Sequence, residues 1–271
     1  MKKTRLDEYL VEQGLCESRE QAKRLILAGS VVLEPIRGIL KPSSPVASWS
    51  RVIVKESPRY VSRGGEKLEK ALRIFNEDPT GLVYADIGAS TGGFTDCLLQ
   101  HGARRVFAVD VGSGILHERI RRDPRVVLLE KTNARFLKPD LLGQTVDGLT
   151  IDVSFISLNL LWSTVTVLVK PDGSTIALIK PQFEAGRDLV DRGGVVKKKQ
   201  THRLTLQKVI EHAEEYNLAL QGLTFSPLRG PKGNIEFLGY WRKRSGIFTK
   251  TDHRDIIGEV VEQAWCSFGL E

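Results

Sequence analysis

The chain has 271 residues, of which 41% are hydrophobic and 27% charged, and its formal net charge is +7 at pH 7. This composition is typical of a globular protein of one large or two modest domains, and the basic excess favours a polyanionic partner without identifying it. No stretch reaches the roughly 20 apolar residues of a membrane span, and neither the three cysteines nor the five histidines have the spacing of a disulfide framework or a metal site. These features predict no metal site and no membrane partner. Since the start of the chain also lacks the apolar core of a signal peptide, we expect a cytoplasmic protein.

The N-terminal region is predicted to begin with two short helices. Leu6 and Leu10 recur at helical spacing, and Gly14 follows them as a stop signal. A second helix is predicted from Ser18 to about Ala28, because Ser18 and Gln21 form a Ser-x-x-Gln capping box at its start. A short strand is expected after it.

A spaced set of residues runs through both helices. Its members are Arg5-Leu6-Asp7, Leu10, Gly14-Leu15, Ser18-Arg19, Ala22, Leu25-Ile26, Gly29 and Val31. This pattern resembles the S4-type RNA-binding domain, and the resemblance implies that Arg5, Ser18, Arg19 and Lys23 face RNA. Residues 1–60 hold 11 Lys and Arg against 7 Asp and Glu, which fits a nucleic-acid-binding surface. The alternative is a basic helix face that simply meets water.

A linker near residues 56–59 is predicted to separate a domain of residues 1–58 from one of residues 59–271. In the larger domain, apolar runs of strand length alternate with helix-length segments, which is typical of a parallel α/β sheet. Two later runs, 218–225 and 235–241, have no helix between them and predict an antiparallel hairpin at the end of the sheet. This arrangement resembles the Rossmann-like class I methyltransferase fold, here preceded by a small α+β RNA-binding domain. The five parallel runs are 82–87, 105–111, 126–129, 148–153 and 174–179.

A glycine-rich turn, residues 86–95, follows the first of these strands and opens a helix. Its glycines let a ligand approach the backbone but do not match G-x-G-x-x-G, which disfavours a dinucleotide. Asp110 ends the next strand, where a carboxylate can accept hydrogen bonds from both ribose hydroxyls of an adenosine. We therefore predict a site for S-adenosylmethionine. Its predicted contacts are Asp86, Gly88, Ser90, Thr91, Gly92, Gly93, Phe94, Asp110 and Asn133.

Four charged residues are predicted to meet at the carboxyl edge of the sheet, where such folds bind ligands. Asp152 and Lys180 each end a parallel strand, and Glu236 starts the final strand, which begins at this edge if it runs antiparallel. Lys67 lies on the helix before the first strand. A ribose 2'-hydroxyl must lose its proton as it attacks a sulfonium methyl group, so the reaction needs a base. Lys180 is the predicted base, oriented by Asp152, while Lys67 polarises the attacking oxygen. Glu236 would position Lys67 and the ribose.

These four residues match the Lys-Asp-Lys-Glu tetrad of the FtsJ-like ribose methyltransferases. Together with the motifs at 62–65, 152–157, 180–184 and 230–236 they resemble the TlyA family, which is often labelled hemolysin A. The resemblance covers nearly the whole chain and implies methylation of cytidine 2'-hydroxyls in 16S and 23S ribosomal RNA. Ribosomal RNA or ribosomal subunits are then the expected partners. Arg63, in the first motif, is a further predicted RNA contact.

Several alternatives stay open at this point. Ser90 also fits the G-x-S-x-G nucleophile elbow of a hydrolase, although a distant histidine would have to supply the base. The turn could hold no ligand, and the four charges could be ordinary surface residues. A membrane-lysing hemolysin and an RNA-binding protein with an inactive methyltransferase domain are the other functional alternatives, and the sequence does not predict the oligomeric state.

Overall fold

The computed structural model describes residues 4–27, 30–34, 40–47, 49–54, 59–245 and 251–270. Contacts within the chain divide it into two compact units, Met1–Arg59 and Tyr60–Glu271. Each unit is described on its own below.

The described residues of the N-terminal unit form two helices and four short strands. In chain order they are β1 (Thr4–Arg5), α1 (Leu6–Glu12), α2 (Arg19–Leu27), β2 (Val31–Glu34), β3 (Pro45–Val46) and β4 (Arg51–Val54). Strands β1 and β3 pair antiparallel, and so do β2 and β4. Leu6 and Leu10 of α1 pack against Ala22 and Ile26 of α2 in a small core of their own.

Helix α2 begins one residue after its predicted start, because Ser18 caps the helix instead of belonging to it. The Ser18 hydroxyl accepts a hydrogen bond from the Gln21 backbone N–H at 3.3 Å, and the Gln21 side chain accepts one from the Glu17 N–H at 2.7 Å. These contacts satisfy amide groups that the helix itself leaves unpaired. Gly14 follows α1 with a φ of 68°, in agreement with its prediction as a stop, and residues 28 and 29 lie outside the described residues.

The larger unit contains seven strands and eight α-helices among its described residues. The strands are β5 (Val83–Ile87), β6 (Arg105–Val109), β7 (Val126–Leu129), β8 (Val146–Ile151), β9 (Val169–Ile179), β10 (Leu218–Phe225) and β11 (Phe237–Lys243). The helices are α3 (Gly64–Phe75), α4 (Gly93–Gln100), α5 (Glu118–Arg121), α6 (Pro139–Leu142), α7 (Trp162–Leu168), α8 (Pro181–Glu184), α9 (Lys199–Glu214) and α10 (Arg254–Ser267).

All seven strands form one sheet in the order β10-β11-β9-β8-β5-β6-β7. Strands β5 to β9 are parallel, whereas β11 runs antiparallel to both of its neighbours, β9 and β10. The predicted Rossmann-like sheet with an antiparallel hairpin at its end is confirmed. The structure adds that the last strand of the chain is the inner strand of that hairpin.

Helices cover both faces of this sheet, so its strands are buried on both sides. Because successive side chains of a strand point to opposite faces, Ile176 and Leu178 join one core while Ala177 and Ile179 join the other. Helices α3 and α4 pack on the first face, and α7, α9 and α10 on the second. This double coverage explains why the strands read as nearly continuous apolar runs.

A buried carboxylate ties together the edge of the sheet opposite the strands' carboxyl ends. Glu77, which follows α3, accepts hydrogen bonds from the hydroxyls of Tyr84 (2.8 Å), Ser174 (2.5 Å) and Tyr240 (2.7 Å), and from Nη2 of Arg242 (3.0 Å). Burial and the hydrogen bond to Glu77 raise the pKa of Tyr240 to about 12. One side chain thus connects α3 to strands β5, β9 and β11.

Replacing Glu77 by Ala should destabilise the fold, because it leaves buried hydroxyl groups without an acceptor. We expect the free energy of unfolding to fall by at least about 2 kcal/mol, measured by urea denaturation. The exposed Glu259→Ala on α10 is the matched control and should change stability by less than about 0.5 kcal/mol. Equal stability of the two variants would contradict the structural role of Glu77.

A buried histidine joins α9 to α10. His202 is fully buried, and its Nδ1 accepts a hydrogen bond from the indole N–H of Trp265 at 3.0 Å. Its other ring nitrogen, Nε2, is buried without a hydrogen-bond partner among the described residues. Burial lowers the pKa of His202 to about 4, so the ring is neutral in the folded protein.

Protonation of His202 should make the fold sensitive to acid. The unfolded chain takes up a proton on this histidine near pH 6.5 and the folded chain only near pH 4, so stability is full above pH 6.5 and is lost as the pH falls. Between pH 7 and pH 5 this one group should cost about 2 kcal/mol. His202→Gln keeps an acceptor for Trp265 but does not titrate, so its stability should fall less over that interval. Parallel stability curves for the two proteins would exclude the effect.

Candidate active site

Three of the four predicted catalytic residues lie where neighbouring strands meet the carboxyl edge of the sheet. Asp152 directly follows β8, Lys180 directly follows β9, and Glu236 directly precedes β11. Because β11 is antiparallel to β9, with Phe237 paired to Ile179, its first residues lie beside the last residues of β9. The chain direction of three strands therefore brings these side chains to one place.

The four charges form two ion pairs. Lys180 Nζ lies 2.7 Å from Asp152 Oδ1 and donates a hydrogen bond to the Ser154 hydroxyl at 2.8 Å. Lys67, on α3, donates to Glu236 Oε2 at 2.5 Å. Both lysines are largely buried, with 9% and 12% of their side chains exposed, so each ammonium group needs the carboxylate beside it.

Glu236 is fully buried, and its second oxygen faces a glycine. Oε1 has no hydrogen-bond partner among the described residues. A Cβ atom at position 230 would lie 2.1 Å from this oxygen, so a side chain there would force the Glu236 carboxylate to move. The carboxylate of Glu236 thus keeps one oxygen on Lys67 and the other against Gly230.

A cavity of about 660 Å³ contains all four residues in its wall. Its size is within the range of small-molecule sites. The glycine-rich turn between β5 and α4 forms a second part of the wall, and Arg63 in the segment before Lys67 forms a third. The structure therefore brings the predicted tetrad, part of the predicted cofactor turn and Arg63 to one cavity.

The glycine-rich turn packs directly on the loop that carries Asp152. Gly88 has a φ of 82°, and a Cβ atom there would lie 2.6 Å from the carbonyl oxygen of Asp152. At the start of α4, a Cβ atom on Gly93 would lie 2.2 Å from the Ser62 hydroxyl. Glycine at these two positions lets the turn, the Asp152 loop and the segment before α3 approach each other.

The nine predicted cofactor contacts do not all lie in the cavity wall. Five of them line it: Gly88, Ser90, Thr91, Gly93 and Phe94. Asp110 lies beside the turn, where its carboxylate accepts hydrogen bonds from the backbone N–H groups of Ser90 (2.8 Å) and Gly112 (2.7 Å). Gly92 and Asn133 are likewise outside the wall, and Asn133 caps the short 3₁₀ helix at 134–136.

Asp86 has a structural position that differs from its prediction. It is fully buried and accepts hydrogen bonds from the hydroxyls of Thr95 (2.6 Å) and Thr150 (2.8 Å). Burial raises its pKa to about 6. Asp86 lies outside the cavity wall, and its two hydrogen bonds join β5 to α4 and β8.

Two phenylalanines of the cavity wall, Phe155 and Phe183, are not among the predicted contacts. Phe155 is 86% exposed and has a φ of 67°, a left-handed conformation that is uncommon for a bulky residue. Its ring centroid lies 5.1 Å from that of Phe183. Glu184 holds the loop after Phe155 by accepting hydrogen bonds from the Ser157 hydroxyl (2.6 Å) and the Leu158 N–H (2.8 Å). The motifs around both phenylalanines are visible in the sequence, but their exposure is not.

Asn234 joins two loops of the cavity rim. Its side chain is buried, accepts a hydrogen bond from the Val196 N–H at 3.0 Å and donates one to the Gly194 carbonyl at 2.9 Å. Both Gly194 and Asn234 line the cavity. The loop before α9 is thereby attached to the loop that carries Glu236.

Four of the predicted RNA contacts belong to the N-terminal unit. Arg5 and Arg19 both pair with Asp7, at 3.0 and 3.1 Å. Lys23 is half-buried one turn after Arg19 on α2. The Ser18 hydroxyl caps α2, so its hydrogen bond is made within the fold. Arg63 belongs to the larger unit.

Within the described residues, no group of His, Cys, Asp and Glu has the geometry to hold a metal ion. The same part of the chain has no helix whose length and apolar character would let it cross a membrane.

Comparison with known proteins gives two domain matches. The FtsJ-like methyltransferase family matches residues 60–243, and the S4 domain matches residues 4–35. The chain is 47% identical to YqxC of Bacillus subtilis, over 88% of this chain and 85% of that protein. It is 41% identical to the 16S/23S rRNA (cytidine-2'-O)-methyltransferase TlyA of Mycobacterium tuberculosis, over 90% of this chain and 91% of that protein.

A solved structure is similar to this chain over nearly its whole length. A hemolysin-named protein of Streptococcus thermophilus superposes with a TM-score of 0.77 at 43% identity, over 99% of this chain and 98% of that one. The FtsJ-like match covers more than half of the chain, and these relatives align with nearly all of it. The chain therefore belongs to the FtsJ-like methyltransferases and, with its N-terminal S4 domain, to their TlyA family.

Proposed function

We propose that this protein transfers a methyl group from S-adenosylmethionine to a ribose 2'-hydroxyl of ribosomal RNA. The observation that carries the proposal is the pair of lysine–carboxylate contacts, Lys180 with Asp152 and Lys67 with Glu236, in one cavity beside a glycine-rich turn. The M. tuberculosis relative is named as a 16S/23S rRNA (cytidine-2'-O)-methyltransferase, which supports cytidine in 16S and 23S ribosomal RNA as the target. We propose that residues 1–58 and 59–271 form the two domains.

The residues around the turn fit S-adenosylmethionine. Gly88 and Ser90 present backbone to the cavity, and no G-x-G-x-x-G pattern is present for a pyrophosphate. Each oxygen of Asp110 accepts one backbone N–H and keeps acceptor capacity for a ribose hydroxyl. When bound, S-adenosylmethionine supplies an electrophilic methyl group on a sulfonium. Asp86 would act only by fixing the strands and the helix that hold this turn.

Lys180 is the proposed base. Nζ of Lys180 would accept the proton of the ribose 2'-hydroxyl as its oxygen attacks the methyl group that S-adenosylmethionine would supply, with S-adenosylhomocysteine as the leaving group. The lysine must enter this step as the neutral amine. Asp152 and Ser154 hold Nζ in place, at 2.7 and 2.8 Å, so that its remaining lone pair has a defined direction.

Lys67 would donate a hydrogen bond to the attacking oxygen and stabilise its developing negative charge. Glu236 holds Lys67 at 2.5 Å, and its second oxygen is buried against Gly230, so the carboxylate would act by positioning Lys67. The exposed ring of Phe155, beside Phe183, offers an apolar face on which an unstacked base can lie. Together these groups would orient one nucleotide.

The N-terminal unit is the proposed anchor for RNA. It carries Arg5, Arg19 and Lys23 near the start of the chain and of α2, and its match to the S4 domain supports an RNA contact by these residues. Arg63 is the proposed contact in the cavity itself. Ser18, as a helix cap, would support the arginine next to it.

The alternatives fit the site less well. A nucleophilic Ser90 would need a histidine base, and no histidine lines the cavity. An inactive domain would not require two buried ion pairs in a cavity, because burial of charge is costly. None of the described residues of the site supports a membrane-lysing activity.

Replacing Lys180 by Ala should reduce methyl transfer by at least about 100-fold, since it removes the general base. The measurement is incorporation of tritiated methyl from S-adenosylmethionine into ribosomal subunits that lack the modification. The matched control is Lys170→Ala, which removes a lysine that pairs with Asp147 at the opposite end of β9. Full activity of Lys180→Ala, with S-adenosylmethionine still bound, would assign the base to another group.

Replacing Asp110 by Ala should weaken binding of S-adenosylmethionine about tenfold, because two hydrogen bonds to the ribose are lost. Calorimetric titration measures this affinity, and RNA binding should stay nearly unchanged. Asp140→Ala, which removes an exposed acid on α6, serves as the control. Equal cofactor affinity of both variants would remove Asp110 from the binding site.

A further inference from the structure

The carboxylate of Asp7, in the first turn of α1, is fully buried and fully used. Oδ1 accepts hydrogen bonds from Arg5 Nε at 3.0 Å and from the Glu8 N–H at 3.1 Å. Oδ2 accepts from Arg5 Nη2 at 3.0 Å and from Arg19 Nη2 at 3.1 Å. A carboxylate offers about four acceptor positions, so Asp7 is saturated. The hydrogen bonds from Arg5 and Arg19 lower its pKa to about 2, which keeps it charged at neutral pH.

Asp7 fixes two arginines from one side and leaves their other side open. Residue 5 ends β1 and residue 19 begins α2, so Asp7 joins arginines from two separate elements. The side chains of Arg5 and Arg19 nevertheless remain 45% and 46% exposed. A fixed guanidinium loses less conformational entropy on binding than a mobile one. Its planar fork also matches the oxygens of a phosphate group. The two arginines are therefore prepared for a phosphate ligand.

Glu8 contacts the same arginines in a different way. Its carboxylate is 38% exposed and lies 3.2 Å from Arg19 Nη1 and 3.9 Å from Arg5 Nε. Exposed ion pairs of this kind are weak and easily exchanged. The two arginines and two acids together carry no net formal charge, so the cluster attracts a polyanion only if one acid gives way.

We propose that Asp7 is a positioning residue that presents Arg5 and Arg19 to RNA phosphates, and that Glu8 is the exchangeable partner that a phosphate displaces. The inference rests on the proposed function in taking ribosomal RNA as the ligand. It assigns opposite roles to two adjacent acids of equal charge. Removing the charge of Asp7 weakens RNA binding, whereas removing that of Glu8 strengthens it.

The test compares Asp7→Asn, Glu8→Gln and Glu12→Gln in the full chain, since each variant adds one unit of positive charge. Binding of deproteinised ribosomal RNA is measured by filter retention over a series of KCl concentrations. For Asp7→Asn we expect a dissociation constant raised roughly tenfold and a shallower salt dependence, because phosphate contacts are lost. For Glu8→Gln we expect a dissociation constant lowered about two- to fivefold, the value of an exposed ion pair. Glu12→Gln, also on α1, reports the effect of net charge alone.

Tighter binding by both Asp7→Asn and Glu8→Gln would overturn the inference, because net charge alone then explains the data. An unchanged affinity of Asp7→Asn would do the same. Circular dichroism and the melting temperature show whether Asp7→Asn is folded. If it is not, Glu8→Gln decides: a gain in affinity beyond that of Glu12→Gln supports the inference, and no gain overturns it. A wild-type protein that binds neither ribosomal RNA nor ribosomal subunits would overturn the proposed function itself, whereas unresponsive variants of a binding protein overturn only this inference.

Discussion

Strand β11 runs antiparallel to both of its neighbours, and this direction decides where Glu236 lies. A parallel strand of the same seven residues would begin at the opposite edge of the sheet, about 20 Å away. With the observed direction, Glu236 meets Lys67 while Lys180 meets Asp152, and both pairs enter one cavity. The site thus depends on backbone topology before it depends on any side chain.

The cost of burying charge explains much of the remaining arrangement. A buried ion that loses its partner is strongly destabilising, so each charge of the site requires both its counterion and close packing around it. Gly230 supplies the packing for Glu236. At the opposite edge of the sheet, the Glu77 carboxylate accepts hydrogen bonds from four side chains and connects strands β5, β9 and β11. The cavity is therefore supported at both ends of the strands that form it.

The parallel sheet and its terminal antiparallel hairpin could be predicted from the sequence, because apolar runs of strand length alternate with helix-length segments except between the last two runs. The order of the strands in the sheet is not part of that prediction. Asp152, Lys180 and Glu236 follow from their positions at strand ends, whereas Lys67, on α3, follows only from the match to the Lys-Asp-Lys-Glu tetrad. The burial of Asp86 could not be predicted, since its two threonine partners lie 9 and 64 residues away and only the packed sheet brings them together. The exposure of Phe155 depends on a left-handed backbone that no motif specifies. Likewise, Asp7 looks like an ordinary acid in the first turn of a helix until Arg19 is placed against it.

The contact between Gly88 and the Asp152 carbonyl means that the glycine-rich turn and the loop that carries Asp152 share one steric boundary. A side chain at position 88 would displace the glycine-rich turn and the Asp152 loop together, so a substitution of Gly88 cannot change one without the other.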